Sequence, residues 1–176
     1  PYHGGTHLPD VTVITPVFLE GALTPEFYVG SRGHHADIGG TTPGSMPPFS
    51  TTIQEEGVQI NNFKLVAEGV LQDTAMIELL SSGEHPSRNP SQNMADLRAQ
   101  LAANEKGVQE LQKMVTEFGL EVVQAYMRHV QDNAEESVRR VITRLKDGRF
   151  TLPLDNGAQI QVAVRVNAAE RSAVID

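Results

Sequence analysis

The residue types best suited to chemistry are gathered near one end of the chain. Four of the six histidines fall between positions 3 and 35, namely His3, His7, His34 and His35, and Asp10 and Asp37 stand beside them among glycines. In Gly4-Gly-Thr-His-Leu-Pro-Asp10 an imidazole and a carboxylate are three residues apart in a stretch shaped by Gly and Pro, so both can point inward. In Gly33-His-His-Ala-Asp-Ile-Gly-Gly40, His35 and Asp37 are two apart and share one side if the backbone there is extended. Neutral imidazole with carboxylate suits Mn, Fe or Zn, and two His with one carboxylate leave positions open for water or substrate. A hydrolytic metal site is the chemistry this grouping suggests. The plainer alternative is that histidines in glycine-rich loops hydrogen-bond the backbone, and no His-Glu-x-x-His spacing decides between the two. In the same way Gly33, Gly39, Gly40 and Gly44 can cradle an anion through backbone N–H groups or simply mark tight turns.

Other candidates carry less. Glu55 and Glu56 are adjacent carboxylates, which on a strand point to opposite faces. His85 lies in a polar connector, His129 sits in a helical stretch, and Ser31, Ser45 and Ser50 have no base at motif spacing. Neither Gly-x-x-x-x-Gly-Lys-Ser/Thr nor Gly-x-Gly-x-x-Gly occurs, so no nucleotide site is legible. A formal net charge of −8 argues against nucleic acid as a partner, because such affinity comes from Lys and Arg neutralising phosphates. The absence of Cys removes disulfides, thiolate catalysis and Cys-based metal sites, and fits a reducing compartment, with the cytoplasm as the expectation. No apolar run reaches 18 residues, so no membrane-spanning helix is expected.

The elements that must position these residues can be read from periodicity. Residues 1–70 are rich in Gly, Pro, Thr and Val and predict strands over Val11–Phe18 and Phe27–Ser31, with Pro16 marking an edge strand or a break. Leu97, Leu101, Asn104, Val108, Leu111, Val115 and Phe118 alternate steps of four and three, the seam of a helix packed lengthwise on another, with Asn104 its one polar member. Asn93 with Asp96 is the expected cap, and Gly119 the expected stop. A second series from Val123 to Leu145 completes a predicted antiparallel helical hairpin over 91–147. Over 148–176 the expectation is a β-hairpin turning at Asn156-Gly157 and a further strand. The fold class is therefore α+β, in one domain spanning 1–176. The chain begins without Met on a loop-like run and stops on a strand-like one, as an internal piece of a longer polypeptide would.

Beyond these readings, the run Gly4–Phe18, then Ser31-Arg-Gly-His-His-Ala-Asp-Ile-Gly-Gly40 and Pro43-Gly-Ser-Met-Pro-Pro48, resembles the hydantoinase B family. Gln54–Gly57, Phe63–Leu65, Ala95–Asn104 and Tyr126–Asn133 extend the resemblance over nearly the whole chain, and Leu120–Met127 is most similar to the 5-oxoprolinase branch. The resemblance implies a B-type half that completes lactam or hydantoin ring opening after an ATP-using hydantoinase A-type subunit or fused half has phosphorylated the ring oxygen. In the oxoprolinase branch this converts 5-oxo-L-proline to L-glutamate. Relatives that carboxylate ketones hold a metal on matching His and Asp residues. Carried onto this sequence, the resemblance implies His7, Asp10 and His34, or His35 in place of His34, as ligands of Mn, Fe or Zn. Asp37 is then a fourth ligand or a partner orienting a histidine, with His35, Asp37 and Arg32 as the catalytic groups; Arg32 neutralises phosphate or substrate carboxylate unless an Asp pairs with it, and Gly39 and Gly40 offer N–H donors to an anionic intermediate. ATP belongs to the partner half, an oligomer is the expected state, and neither nucleic acid nor a membrane is an expected partner. Members are several times longer than this chain, so the isolated segment is expected to be inactive. The competing expectation is an interaction or assembly module built on the helical hairpin.

Overall fold

The computed structural model describes residues 7–176, so the sequence reading of His3 lies outside the described residues. The described chain divides into two compact units, the first ending at Lys113 and the second covering Met114–Asp176.

The first unit is organised by a two-stranded antiparallel ribbon of β1, Asp10–Val17, and β2, Phe27–His34. Alternation sorts its side chains. Val11, Val13, Val17 and Phe27 are buried on one face, while Thr12, Ile14, Tyr28, Arg32 and His34 are exposed on the other. Pro16 stays within β1, opposite Tyr28. A two-residue pairing, β3 (Val66–Ala67) with β4 (Val70–Leu71), leads into α1, Asp73–Leu80, a helix the sequence reading did not anticipate. Met76 and Leu80 of α1 join Val11, Val13, Ile38, Val58, Met94 and Leu97 in the core.

Helix α2 runs Pro90–Phe118. Its start differs from the expected cap: Asn89 precedes it and accepts the Gln92 N–H on its side chain at 3.2 Å, and Pro90, which lacks an N–H to satisfy, takes the first position. Asn93 is instead buried inside the first turns. The first half of the predicted seam packs on the ribbon: Leu97 lies in the core with Val11 and Val13, and Leu101 packs against it. The polar seam member explains itself here, since Asn104 donates to the Val13 carbonyl and to Thr15 Oγ1, both at 3.0 Å.

In the second unit α3, Leu120–Ile142, follows α2 after Gly119, whose φ of 85° is the left-handed conformation expected of a helix stop. Of the predicted second seam Val123 is buried, while Val130, Val138 and Val141 are exposed, as is Tyr126. Strands β5 (Gly148–Pro153), β6 (Gln159–Asn167) and β7 (Ser172–Ile175) form an antiparallel sheet in the order β5-β6-β7. The hairpin at Asn156-Gly157 is present with a longer turn than expected: Leu154 N–H bonds the Ala158 carbonyl at 2.8 Å, enclosing three residues with Gly157 at φ 84°. Glu136 of α3 receives the Arg171 guanidinium at 2.8 Å, beside β7.

Candidate metal centre

The ribbon register brings two of the predicted ligands together. Asp10 at the start of β1 stands opposite His34 at the end of β2. The His35 N–H bonds the Pro9 carbonyl at 2.9 Å, which makes the adjacent Asp10–His34 pair one without mutual ladder bonds, the kind whose side chains approach most closely. His34 Nδ1 lies 3.1 Å from Asp10 Oδ1. The third member arrives through a turn in which the Asp10 N–H bonds the His7 carbonyl at 3.2 Å, folding the imidazole back so that its Nε2 is 3.2 Å from Asp10 Oδ2. The two rings are tilted by 48° with centroids 5.2 Å apart. One donor atom from each of His7, Asp10 and His34 lies within 4.8 Å of the others.

The donor set fits a divalent ion of the Mn, Fe or Zn type: two imidazole nitrogens and one carboxylate oxygen, on a face open to solvent. His7 Nδ1, on the far side of its ring, is buried without a hydrogen-bond partner among the described residues. The ring nitrogens turned toward Asp10 are the ones an ion would use.

Arg32 lies on the same outward face, opposite Thr12, and its Nε donates to Thr12 Oγ1 at 3.0 Å. An Asp partner was the plain alternative for this arginine; among the described residues it has no carboxylate partner.

The remaining predicted site residues occupy different ground. His35 is 1% exposed, beneath the ribbon, with Nε2 3.1 Å from Gln100 Oε1 and Nδ1 3.0 Å from Asn93 Nδ2. Both ring nitrogens are thus engaged, and the ring is a buried hub. The extended stretch expected to align His35 with Asp37 is absent because β2 stops at His34 and the Asp37 carboxylate curls the chain. Its Oδ1 accepts the N–H groups of Gly39 (2.9 Å) and Arg88 (3.1 Å), and its Oδ2 accepts Gly44 N–H (3.0 Å) and the Arg88 guanidinium (2.8 Å). Burial works to raise the Asp37 pKa, but these donors together hold it below its ordinary value.

The expected anion cradle of Gly39 and Gly40 is likewise occupied. Gly39 N–H serves Asp37, and Gly40 N–H bonds the His85 carbonyl at 3.0 Å. These glycines are required for close packing instead: at φ 95°, a Cβ on Gly39 would lie 2.2 Å from the His85 carbonyl oxygen. Glu55 closes a capping box at Thr52, and Glu56 lies 3.4 Å from Ser50 Oγ.

Of the residues that hold this scaffold, Gln100 was not singled out in the sequence and Asn93 was read as a helix cap. Gln100 donates to the carbonyls of Val11 (3.0 Å) and Ser31 (3.1 Å), clamping both strands. Asn93 also donates to the Asp37 carbonyl at 2.8 Å and accepts from Ser87 Oγ at 2.6 Å. The available signal was spacing: Asn93, Leu97, Gln100 and Asn104 alternate steps of four and three, so amides share the apolar seam. A separate groove of about 680 Å³ runs along β1, lined by Phe63, Leu65, Leu97 and Leu101 among others, and includes none of the three metal-site residues.

The family model for hydantoinase B/oxoprolinase matches residues 1–176. The chain belongs to the hydantoinase B/oxoprolinase family. This family member is 44% identical over 185 residues to a 5-oxoprolinase of Dictyostelium discoideum, a match covering all of this chain and 14% of that protein. It is 51% identical over 150 residues to 5-oxoprolinase 1 of Arabidopsis thaliana, covering 81% of the chain and 12% of the relative. The chain therefore spans about one seventh of the length of these relatives. Among solved structures, the ATP-dependent caprolactamase from Pseudomonas jessenii superposes with a TM-score of 0.79 at 26% identity, over 97% of this chain and 30% of that one.

Proposed function

We propose that this chain is part of the B-type half of an ATP-dependent cyclic-amide hydrolase, opening 5-oxo-L-proline to L-glutamate, and that His7, Asp10 and His34 hold a divalent ion at its hydrolytic site. The observation that carries this reading is the meeting of two imidazoles and one carboxylate, from a turn and two paired strands, on one outward face. Family membership and the printed activities of the relatives, 5-oxoprolinases and a caprolactamase, support the reaction class. An ATP-using A-type partner or fused half accounts for ATP, since this sequence carries no phosphate-binding loop of its own. No described helix is long and apolar enough to cross a membrane, which accords with a cytoplasmic enzyme.

When bound, the ion supplies Lewis acidity toward a carbonyl oxygen or a water. The protein's own contribution is placement. Asp10 orients both imidazoles through its two oxygens, and the cross-strand register fixes Asp10 against His34 without any loop movement. His35, Asn93 and Gln100 keep the ribbon from shifting beneath them. Without an ion the two ring nitrogens that would bind it face the Asp10 oxygens at 3.2 and 3.1 Å.

Elemental analysis of the protein, freed of loosely held ions and reconstituted with Mn, Fe or Zn, tests the site against a His7→Ala/Asp10→Ala variant. Near one equivalent of metal in the parent and none in the variant is expected, together with ATP-dependent 5-oxoproline hydrolysis once the complete enzyme is assembled. Equal metal content in both proteins would remove the assignment.

A further inference from the structure

We propose that Arg32, held in place by Thr12, is an oxyanion-recognition residue that selects what binds at the His7–Asp10–His34 site, taking carboxylate or phosphoryl oxygens of the bound molecule. The inference rests on the reading of that site given above and adds to it the charge class of its substrate.

Four observations carry it. The first is position. Thr12–Arg32 is the cross-strand pair two residues along from Asp10–His34, on the same outward face, so the two pairs are spaced about 7 Å along the ribbon backbone. That is the span of a small ring with one substituent.

The second is orientation. The Nε–H bond to Thr12 Oγ1 at 3.0 Å fixes one edge of the planar group, while Nη1 and Nη2 meet no hydrogen-bond or ion-pair partner among the described residues. A guanidinium tethered through Nε and open at its fork is arranged for two parallel bonds to a carboxylate or phosphate. Arg88 shows the contrast: its fork is already closed by Asp37 and the Gly40 carbonyl, both at 2.8 Å.

The third is charge. The chain is acidic overall, at −8, yet the carboxylate nearest along this face, Asp10, already has its two oxygens facing His7 and His34. Arg32 therefore has no ion-pair partner among the described residues. A positive charge one cross-strand pair from a divalent-ion site weakens ion binding by repulsion, an arrangement that makes sense when an anion comes between the two.

The fourth is that stability does not account for the pair. Both residues are exposed, and one exposed cross-strand hydrogen bond adds little to folding.

The test compares 5-oxoproline with 2-pyrrolidinone, the same ring without the carboxylate, in the complete enzyme with its ATP-using half, for Arg32→Gln, Arg32→Lys and Thr12→Val. If the oxyanion is the substrate carboxylate, Arg32→Gln raises the KM ratio of 5-oxoproline to 2-pyrrolidinone roughly 10- to 100-fold. Arg32→Lys, which keeps the charge without the fork, recovers part of it, and Thr12→Val shifts the ratio several-fold with metal content intact. If the oxyanion is phosphoryl, kcat falls to the same extent for both lactams and the KM ratio stays put. Unaltered kinetics on both substrates in Arg32→Gln would overturn the proposal. The same preparations, titrated calorimetrically with 5-oxoproline and with inorganic phosphate, keep the two readings apart. Wild-type protein without metal or ATP-dependent turnover defeats the hydrolase reading, whereas oxyanion binding that is equal in wild type and Arg32→Gln defeats this one.

Discussion

The two faces of the β1–β2 ribbon are built from alternate residues of the same sixteen positions and do opposite things. Downward, Val11, Val13 and Phe27 are buried, and His35, just beyond the strand, has both ring nitrogens taken by Asn93 and Gln100. Upward, His34 and Asp10 meet His7 in the open, with Thr12 and Arg32 beside them. The neighbours His34 and His35 differ in nothing chemical; His34 ends the strand facing solvent, and His35, just beyond it, is taken into a desolvated polar network by Asn93 and Gln100. A buried network of this kind is costly to break because each orphaned amide loses its partner in a low-dielectric setting. The exposed cluster has ligand atoms to spare, because its stability is supplied from below.

That contrast predicts a graded set of effects. The largest belongs to Gly39→Ala, where positive φ and a Cβ overlapping the His85 carbonyl oxygen combine to cost roughly 4 kcal/mol, read by chemical denaturation and accompanied by loss of metal binding. A variant as stable as the parent would show that the packing beneath the site is softer than described. Next comes the neighbour test. His35→Ala should destabilise by about 3 kcal/mol, leaving Asn93 and Gln100 short of partners, while His34→Ala changes stability by under about 1 kcal/mol but removes a metal ligand. Equal stability losses for the two histidines would break the comparison outright.

The smallest effect concerns pH. Because the Asp37 carboxyl sits below its ordinary value of 3.8 when folded, its stabilising contribution is fully present above that value and is lost as pH falls through the lower, folded one. The stability difference between wild type and Asp37→Asn should hold constant from neutral pH down to about pH 4 and shrink below it. A difference that persists unchanged well into acid would mean that the charge of Asp37 does not tie Arg88 and the glycine turn together.

Much of the local structure was legible without coordinates. Valine alternation marked β1, the Phe-Tyr-Val run marked the first part of β2, the four-and-three seam marked α2, Gly119 marked the break between helices, and Asn156-Gly157 marked the last hairpin. Each of these signals is carried by neighbours within one or two turns of chain. The seam's partner was not: Leu97 reads equally well against a second helix or a sheet, and the buried ribbon valines it meets, Val11 and Val13, lie more than eighty residues earlier. Helix α1, eight residues long, is too short to impose a clear period.

For the site, residue types and clustering marked the His/Asp region, because imidazole and carboxylate carry their chemistry wherever they stand, and the family resemblance implied His7 and Asp10 with either His34 or His35 as the donor set. What the tertiary structure decided was selection. Antiparallel register put Asp10 against His34 across 24 residues of chain, and Asn93 and Gln100, 58 and 65 residues from His35, drew that histidine into the interior. The Asp37 carboxylate, satisfied by Gly39, Gly44 and Arg88, became part of the scaffold for the same reason. Pairings over such separations are fixed by register and burial, which short-range pattern does not encode, and they alone separate the histidine that faces water from the one that holds the fold.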